Sequence, residues 1–217
     1  MTAQQVRTVD GRIAGKRGQA TRARLLECLG EMLVSQAYRS ITVIDVARLA
    51  GTSPATFYQY FPDIESAIIE IANDMAKDGA HLKELAEGRT WTGRAGMQAA
   101  EALVDGFLAF WNEHEAILRV VDLATAEGDK RFHKIRMKIL NNVTVSLADA
   151  MTELQSAGRA DDVMPPTATA GALVAMLASI SAHQRVFEAW SIKLTELRAA
   201  MIGLVYMGIT QKKPVAA

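Results

Sequence analysis

Apolar residues along this chain recur at intervals of three and four, and strict alternation of apolar with polar residues is hard to find. Such spacing gathers apolar side chains on one helical face, so the pattern predicts helices throughout and an all-α fold. Over 19–36, Leu25, Leu26, Leu29, Met32 and Leu33 share a face. The stretch 64–85 carries Ile64, Ile68, Ile71 and Met75 as its stripe and predicts one long helix. A glycine-marked break follows at 88–96, and helical patterns return over 97–112, 113–126 and 129–157. Beyond a loop at 158–166, two last helices are expected over 167–190 and 193–210.

The stretch 42–61 is the most informative. Thr42 is placed to cap a short helix, with Asp45 three residues on at the acidic position of a capping box. Val43, Val46, Ala47 and Ala50 form its apolar stripe, and Gly51 suits the left-handed turn past its end. Ser53 can cap a second helix, with Pro54 in its first turn. Phe57 and Phe61, four apart, anchor that helix inward and leave Thr56, Tyr58, Gln59 and Tyr60 facing partly outward. Two short helices with a spare polar and aromatic face make a candidate helix-turn-helix DNA reader, and the helix over 19–36 completes a three-helix unit. A plain helical hairpin with an aromatic core would read the same way from 42–61 alone.

Charge changes that balance. The chain has 24 basic and 24 acidic residues, yet residues 1–24 hold Arg7, Arg12, Lys16, Arg17, Arg22 and Arg24 against Asp10. A basic arm before the reader can neutralise phosphates and release counterions. Its glycines also suit a solvated tail, disordered alone and partly ordered on DNA.

The chain here resembles the TetR family of bacterial transcriptional regulators over roughly 22–69. The resemblance rests on Leu25-Leu26-Glu27, Met32-Leu33, Thr42-Val43, Asp45-Val46-Ala47, Ala50-Gly51 and, above all, the run from Ser53 to Pro62. It implies an all-helical homodimer: an N-terminal three-helix DNA-binding domain, joined by a long helix to a larger ligand-binding and dimerisation domain, usually acting as a repressor. The implied DNA contacts are Pro54, Ala55, Thr56, Tyr58, Gln59 and Tyr60, with Thr42 on a phosphate and Ser53 beside them. Ile64 stands where the family often has lysine, and Arg48 is a substitute for that phosphate contact. Ala37 stands where a glycine commonly precedes the aromatic residue. Gln59 is the best candidate for base-edge hydrogen bonds. The domains expected are a basic arm at 1–18, the reader at 19–63 and the ligand and dimer domain at 64–217.

The last two helices are apolar on more than one face. Leu173, Leu177 and Ile180 recur at helical spacing, as do Leu197, Met201, Leu204 and Val205, and small residues fill another side. A helix apolar all round needs cover on all sides, so these residues are expected at a four-helix dimer interface. Two-fold symmetry would set the readers about 34–36 Å apart. The stretch 163–184 lacks Asp, Glu, Lys and Arg, but its Pro165-Pro166 start and its Thr, Ser, His and Gln favour a buried helix over a membrane span. Large apolar residues that could line an effector pocket are Phe107, Phe110, Trp111, Met137, Met151, Met176 and Phe187, with Asn141 as a polar group to orient a small apolar or amphipathic molecule. The run Arg131, His133, Lys134, Arg136, Lys138 reads as a solvated face, or as a steer for an acidic ligand such as a coenzyme A thioester.

No cofactor is expected. The four histidines lie neither three nor four residues from one another or from Cys28, and no phosphate-cradling loop or nucleophile elbow appears, so neither a metal site nor an enzyme is indicated. One cysteine permits no internal disulfide, which suits the cytoplasm, and Cys28 reads as a small buried residue. No signal segment is expected at the N-terminus. Two other readings stay open: a helical sensor or carrier acting through protein partners, and a helical enzyme with a site assembled from distant residues.

Overall fold

A computed structural model describes residues 8–9, 15–160 and 163–212. Among them the chain is helical, and it divides into two compact units. The first comprises 1–75 and 116–133, and the second 76–115 and 134–217.

In the first unit α1 (Lys16–Ser35), α2 (Val43–Leu49) and α3 (Pro54–Tyr60) pack around a small core. Leu25, Cys28, Leu29 and Leu33 of α1 meet Val46 and Ala47 of α2 and Phe57 of α3 in it, all fully buried. The Cys28 thiol is held above its ordinary pKa by that burial. The expected caps form. Thr42 Oγ1 accepts from the Asp45 backbone N–H at 3.2 Å, and Ser53 Oγ accepts from that of Thr56 at 3.2 Å. The Asp45 carboxylate differs from expectation: it accepts from the Thr42 hydroxyl and from Arg48, and no reciprocal bond to the Thr42 backbone is seen. Gly51 takes φ +67°, and the Thr52 N–H returns to the Ala47 carbonyl at 2.9 Å, closing α2 with a left-handed cap. α4 (Ile64–Asp78) starts with the Asp63 carboxylate accepting from the Ser66 N–H at 2.6 Å. α7 (Glu115–Ala126) caps α1: the Arg119 guanidinium donates to the Leu33 carbonyl at 2.8 Å.

The second unit holds α5 (His81–Glu84), α6 (Gly93–Glu113), α9 (Pro166–Ala182), α10 (Gln184–Glu188) and α11 (Leu194–Thr210), with most of α8 (Lys130–Ser156). α6, α9 and α11 pack on one another, with Leu103, Phe107, Leu177, Met201 and Val205 fully buried. Arg198 of α11 ties to α6 through Asp105, in two bonds of 2.6 Å, and Glu101 at 2.7 Å. Those carboxylates raise the pKa of the guanidinium, Asp105 most.

Three boundaries depart from the periodicity. The expected helix over 64–85 breaks after Asp78: the His81 ring takes the Asp78 carbonyl at 2.6 Å, and Gly79 sits so close to Phe110 that a Cβ would lie 3.2 Å from its ring. The helix expected from 97 starts at Gly93, because the Trp91 backbone folds onto Gly96. The helix expected over 167–190 ends at Ala182, where the His183 ring binds the Ser179 carbonyl at 2.9 Å in competition with the helical ladder.

Candidate nucleic-acid interface and effector domain

The reader surface follows from which side of α3 is anchored. Phe57 and Phe61 have their ring centroids 5.4 Å apart and almost no exposure. That fixes the rotation of the helix. Pro54, Ala55, Tyr58 and Gln59 are then exposed, and Thr56 and Tyr60 are half-buried at the edges. Tyr58 is 52% exposed, its ring edge-on to Phe57 at 5.9 Å, so packing orients the ring without covering the residue. Thr42 and Ser53 are exposed at the N-termini of α2 and α3, each spending one acceptor position on its cap. Arg48 is exposed and paired with Asp45 at 3.0 Å. Such a surface pair is worth under about 1 kcal/mol, so a phosphate can displace it. Ile64 is buried as the first residue of α4, an apolar plug rather than a surface position.

The basic arm is weaker than its sequence charge implies. Arg22 pairs with Glu70 and lies over the Phe61 ring at 5.1 Å, and burial lowers its pKa. Arg24 pairs with Glu27 at 2.8 Å and Glu31 at 3.6 Å. Both belong to the scaffold of the unit. Lys16 and Arg17 are exposed, whereas Arg7, Asp10 and Arg12 lie outside the described residues. One contact had no signal in the sequence: the Val9 backbone N–H donates to the Gln59 carbonyl at 2.8 Å, bringing the arm to the C-terminal turn of the reader helix.

In the second unit, Phe107, Phe110, Trp111 and Met151 are buried, and Met176 and Phe187 are half-buried. Phe107 stacks on Trp111 at 5.5 Å, and Phe110 meets Trp111 and His114 edge-on. Met137 and Asn141 are both exposed, so the structure does not join them to this buried group. They fall on the outer side of α8 because Ile135, Ile139, Val143 and Leu147 take its inner side. In the basic run, Arg131 is held by Asp129, whose pKa it lowers by hydrogen bonding.

The expected dimer residues need a correction. Leu173, Leu177, Leu197, Met201 and Val205 are buried within the chain, because α6, α9 and α11 cover one another's larger side chains. Of the expected set, Ile180 is half-buried and Leu204 is 45% exposed. The uncovered side is the small one: Ala168, Ala172, Ala175 and Ser179 on α9, with Ala200, Leu204 and Met207 on α11.

Among the described residues no helix is long and apolar enough to cross a membrane, and no group of three His, Cys, Asp or Glu side chains could hold a metal ion.

An N-terminal helix-turn-helix with an outward reader face, followed by a larger helical unit, defines a DNA-binding regulator. Residues 30–71 match the family of bacterial regulatory proteins named for TetR, and residues 82–216 match the tetracyclin repressor-like C-terminal domain. The chain belongs to the TetR family and is a transcriptional regulator. It is 34% identical over 77 residues to the HTH-type transcriptional regulator EthR of Mycolicibacterium smegmatis, covering 35% of this chain and 36% of that relative. In fold it is similar to a regulatory protein of the TetR family from Rhodococcus RHA1, with a TM-score of 0.66, 16% identity and coverage of 94% of this chain and 100% of that one. It is also similar to Salmonella enterica GusR, with a TM-score of 0.64, 16% identity and coverage of 89% and 96%.

Proposed function

We propose that this regulator is a homodimer that occupies a roughly palindromic operator as a repressor in the cytoplasm, and that a small apolar or amphipathic effector releases it. The observation that carries the reading is the inward anchoring of Phe57 and Phe61, which leaves Pro54, Ala55, Tyr58 and Gln59 exposed, with Thr56 and Tyr60 at the edges. In this reading residues 1–18 are a basic arm, 19–63 the DNA-binding domain and 64–217 the effector and dimerisation domain. Thr42 and Tyr58 bind phosphates, Gln59 reads a base edge, and Arg48 exchanges Asp45 for a phosphate. The buried aromatic group around Phe107, Phe110 and Trp111 supports an apolar effector site. The exposed small-residue side of α9 and α11 supports close helix packing against a second copy. Effector and operator then weaken each other by the same factor, as linkage requires.

Fluorescence anisotropy tests this on the DNA upstream of the regulator's own gene, against a random duplex, across a salt series. Operator binding is expected to exceed random binding at every salt, while both fall as salt rises. Equal affinity for the two duplexes throughout would overturn the reading.

A further inference from the structure

The first unit includes a segment from much later in the chain: α7 and the start of α8, 116–133, pack with the DNA-binding helices. Two polar side chains of this segment, Arg119 and Glu127, hold the corner between α1 and α2 from its two ends. The Arg119 guanidinium donates to the Leu33 carbonyl in the last turn of α1 at 2.8 Å. The helical ladder ends with the Gln36 N–H on the Met32 carbonyl, because Gln36 (φ −127°, ψ 151°) and Ala37 (φ −67°, ψ 132°) are already extended. Leu33 therefore presents an orphan carbonyl at the negative end of α1, whose own last turn holds no basic residue. At the other end of the corner, the Glu127 carboxylate pairs with Arg39 of the tight turn Tyr38–Ser40. Thr42, the cap of α2, follows Arg39 after two residues.

Both sides of this grip are rigid. Within the corner, the Ser40 and Ile41 N–H groups donate to the Ala37 and Tyr38 carbonyls at 2.9 and 3.2 Å, and Ile41 is buried. A displacement of Arg39 is then a displacement of Thr42. On the other side, Leu118, Val120 and Val121 bury α7, and Gly128 at φ +90° lets the Asp129 N–H return to the Ala124 carbonyl at 2.9 Å, which fixes the turn bearing Glu127. Neither contact fills the core, since Arg39, Arg119 and Glu127 are all exposed. A surface ion pair adds little to folding stability, so what the grip supplies is position. Resting on the reading of Thr42 as a phosphate contact, we infer that Arg119 and Glu127 are positioning residues for DNA binding: without touching DNA, they hold the α1–α2 corner so that Thr42 meets its phosphate.

Anisotropy on the operator and on a random duplex tests this with the full-length protein, and the sign of one effect is decisive. Glu127→Gln deletes a negative charge, so electrostatics alone would tighten DNA binding. Positioning predicts the reverse: binding about 3- to 5-fold weaker, on both duplexes because a phosphate contact carries no sequence information. Arg39→Gln should weaken binding by the same factor, and the double variant by no more than either, because one pair is lost in every case. Arg119→Met should weaken binding about fivefold in the parent and leave it unchanged in a Thr42→Ala background. The Arg39 and Glu127 variants should keep the parent's circular dichroism, since both positions are exposed. Glu127→Gln protein that binds as tightly as the parent or more so, additive losses in the double variant, or an undiminished Arg119→Met loss beside Thr42→Ala would each overturn the inference. Equal affinity of the parent for operator and random duplex would remove the operator reading while leaving these comparisons intact. A parent that binds neither duplex would remove both.

Discussion

Tyr58 and Gln59 are neighbours on α3, yet their chemistry gives them separable roles. The Tyr58 ring is held edge-on to Phe57 and the residue is exposed, which suits its phenol to donating to a phosphate. A phosphate contact carries no sequence information, so Tyr58→Phe should weaken operator and random duplex alike, by about fivefold for one hydrogen bond. Gln59 presents an amide able to pair with an adenine edge at two points, and each such pair discriminates by about 1–3 kcal/mol. Gln59→Ala should therefore flatten the preference at one base pair of each half-site and leave random binding unchanged. Anisotropy on the operator and its single-base variants measures both. A Gln59→Ala protein with the parent's full base preference would mean that the reader surface is assigned to the wrong side of α3. The inward and outward sides of this helix were legible in the sequence because two phenylalanines four apart fix its rotation. The use of Arg22 was not, since its partners Phe61 and Glu70 lie beyond its own helix, whereas Arg24 pairs with Glu27 and Glu31 on α1 itself.

At the scale of elements, two glycines stop or shape helices for different reasons, and the same substitution distinguishes them. Gly51 has φ +67°, and a Cβ there would meet nothing within 4 Å. Gly51→Ala should thus cost only the left-handed backbone term, about 1–2 kcal/mol. Gly96 is ordinary helix, but a Cβ would lie 2.3 Å from the Trp91 backbone. Backbone yields less readily than a flexible side chain, so Gly96→Ala should cost about 1–3 kcal/mol or more through overpacking. Urea unfolding of both variants checks the order; a Gly96→Ala protein as stable as the parent would show that the 91–96 turn is loose. This contrast marks where sequence reading succeeds. The Gly51 turn lies between two capped short helices, and its role follows from local residues alone. Gly96 looked like part of a break because its use depends on where Trp91 folds back. The ends of α4 and α9 were missed for a related reason: histidine rings take the carbonyls there, and the close approach of Gly79 to Phe110 at the end of α4 depends on tertiary packing.

At the scale of the whole molecule, the sequence indicated that α9 and α11 need more cover than one face, and the structure divides that cover by side-chain size. Large residues such as Leu173, Leu177, Met201 and Val205 fill the chain's own core. Periodicity could not tell this inner stripe from an outer one, because both are apolar and both recur every three to four residues. What remains outside is a line of small side chains, Ala168, Ala172, Ala175 and Ser179, beside Leu204 and Met207. Small residues let helix backbones approach closely, so a glutamate in their midst would both hold a partner helix away and bury a charge. Ala175→Glu and Leu204→Glu should each yield a monomer in sedimentation, with helix content by circular dichroism unchanged because neither position is buried in the chain. Losing the dimer separates two readers that were linked, and linkage multiplies affinity by about 10²–10⁴. Operator affinity should fall by about 100-fold or more while random-duplex binding per monomer changes little. If both variants stayed dimeric at micromolar concentration, the second copy would have to pair through another face. The spacing of the two readers would then need a different geometric basis.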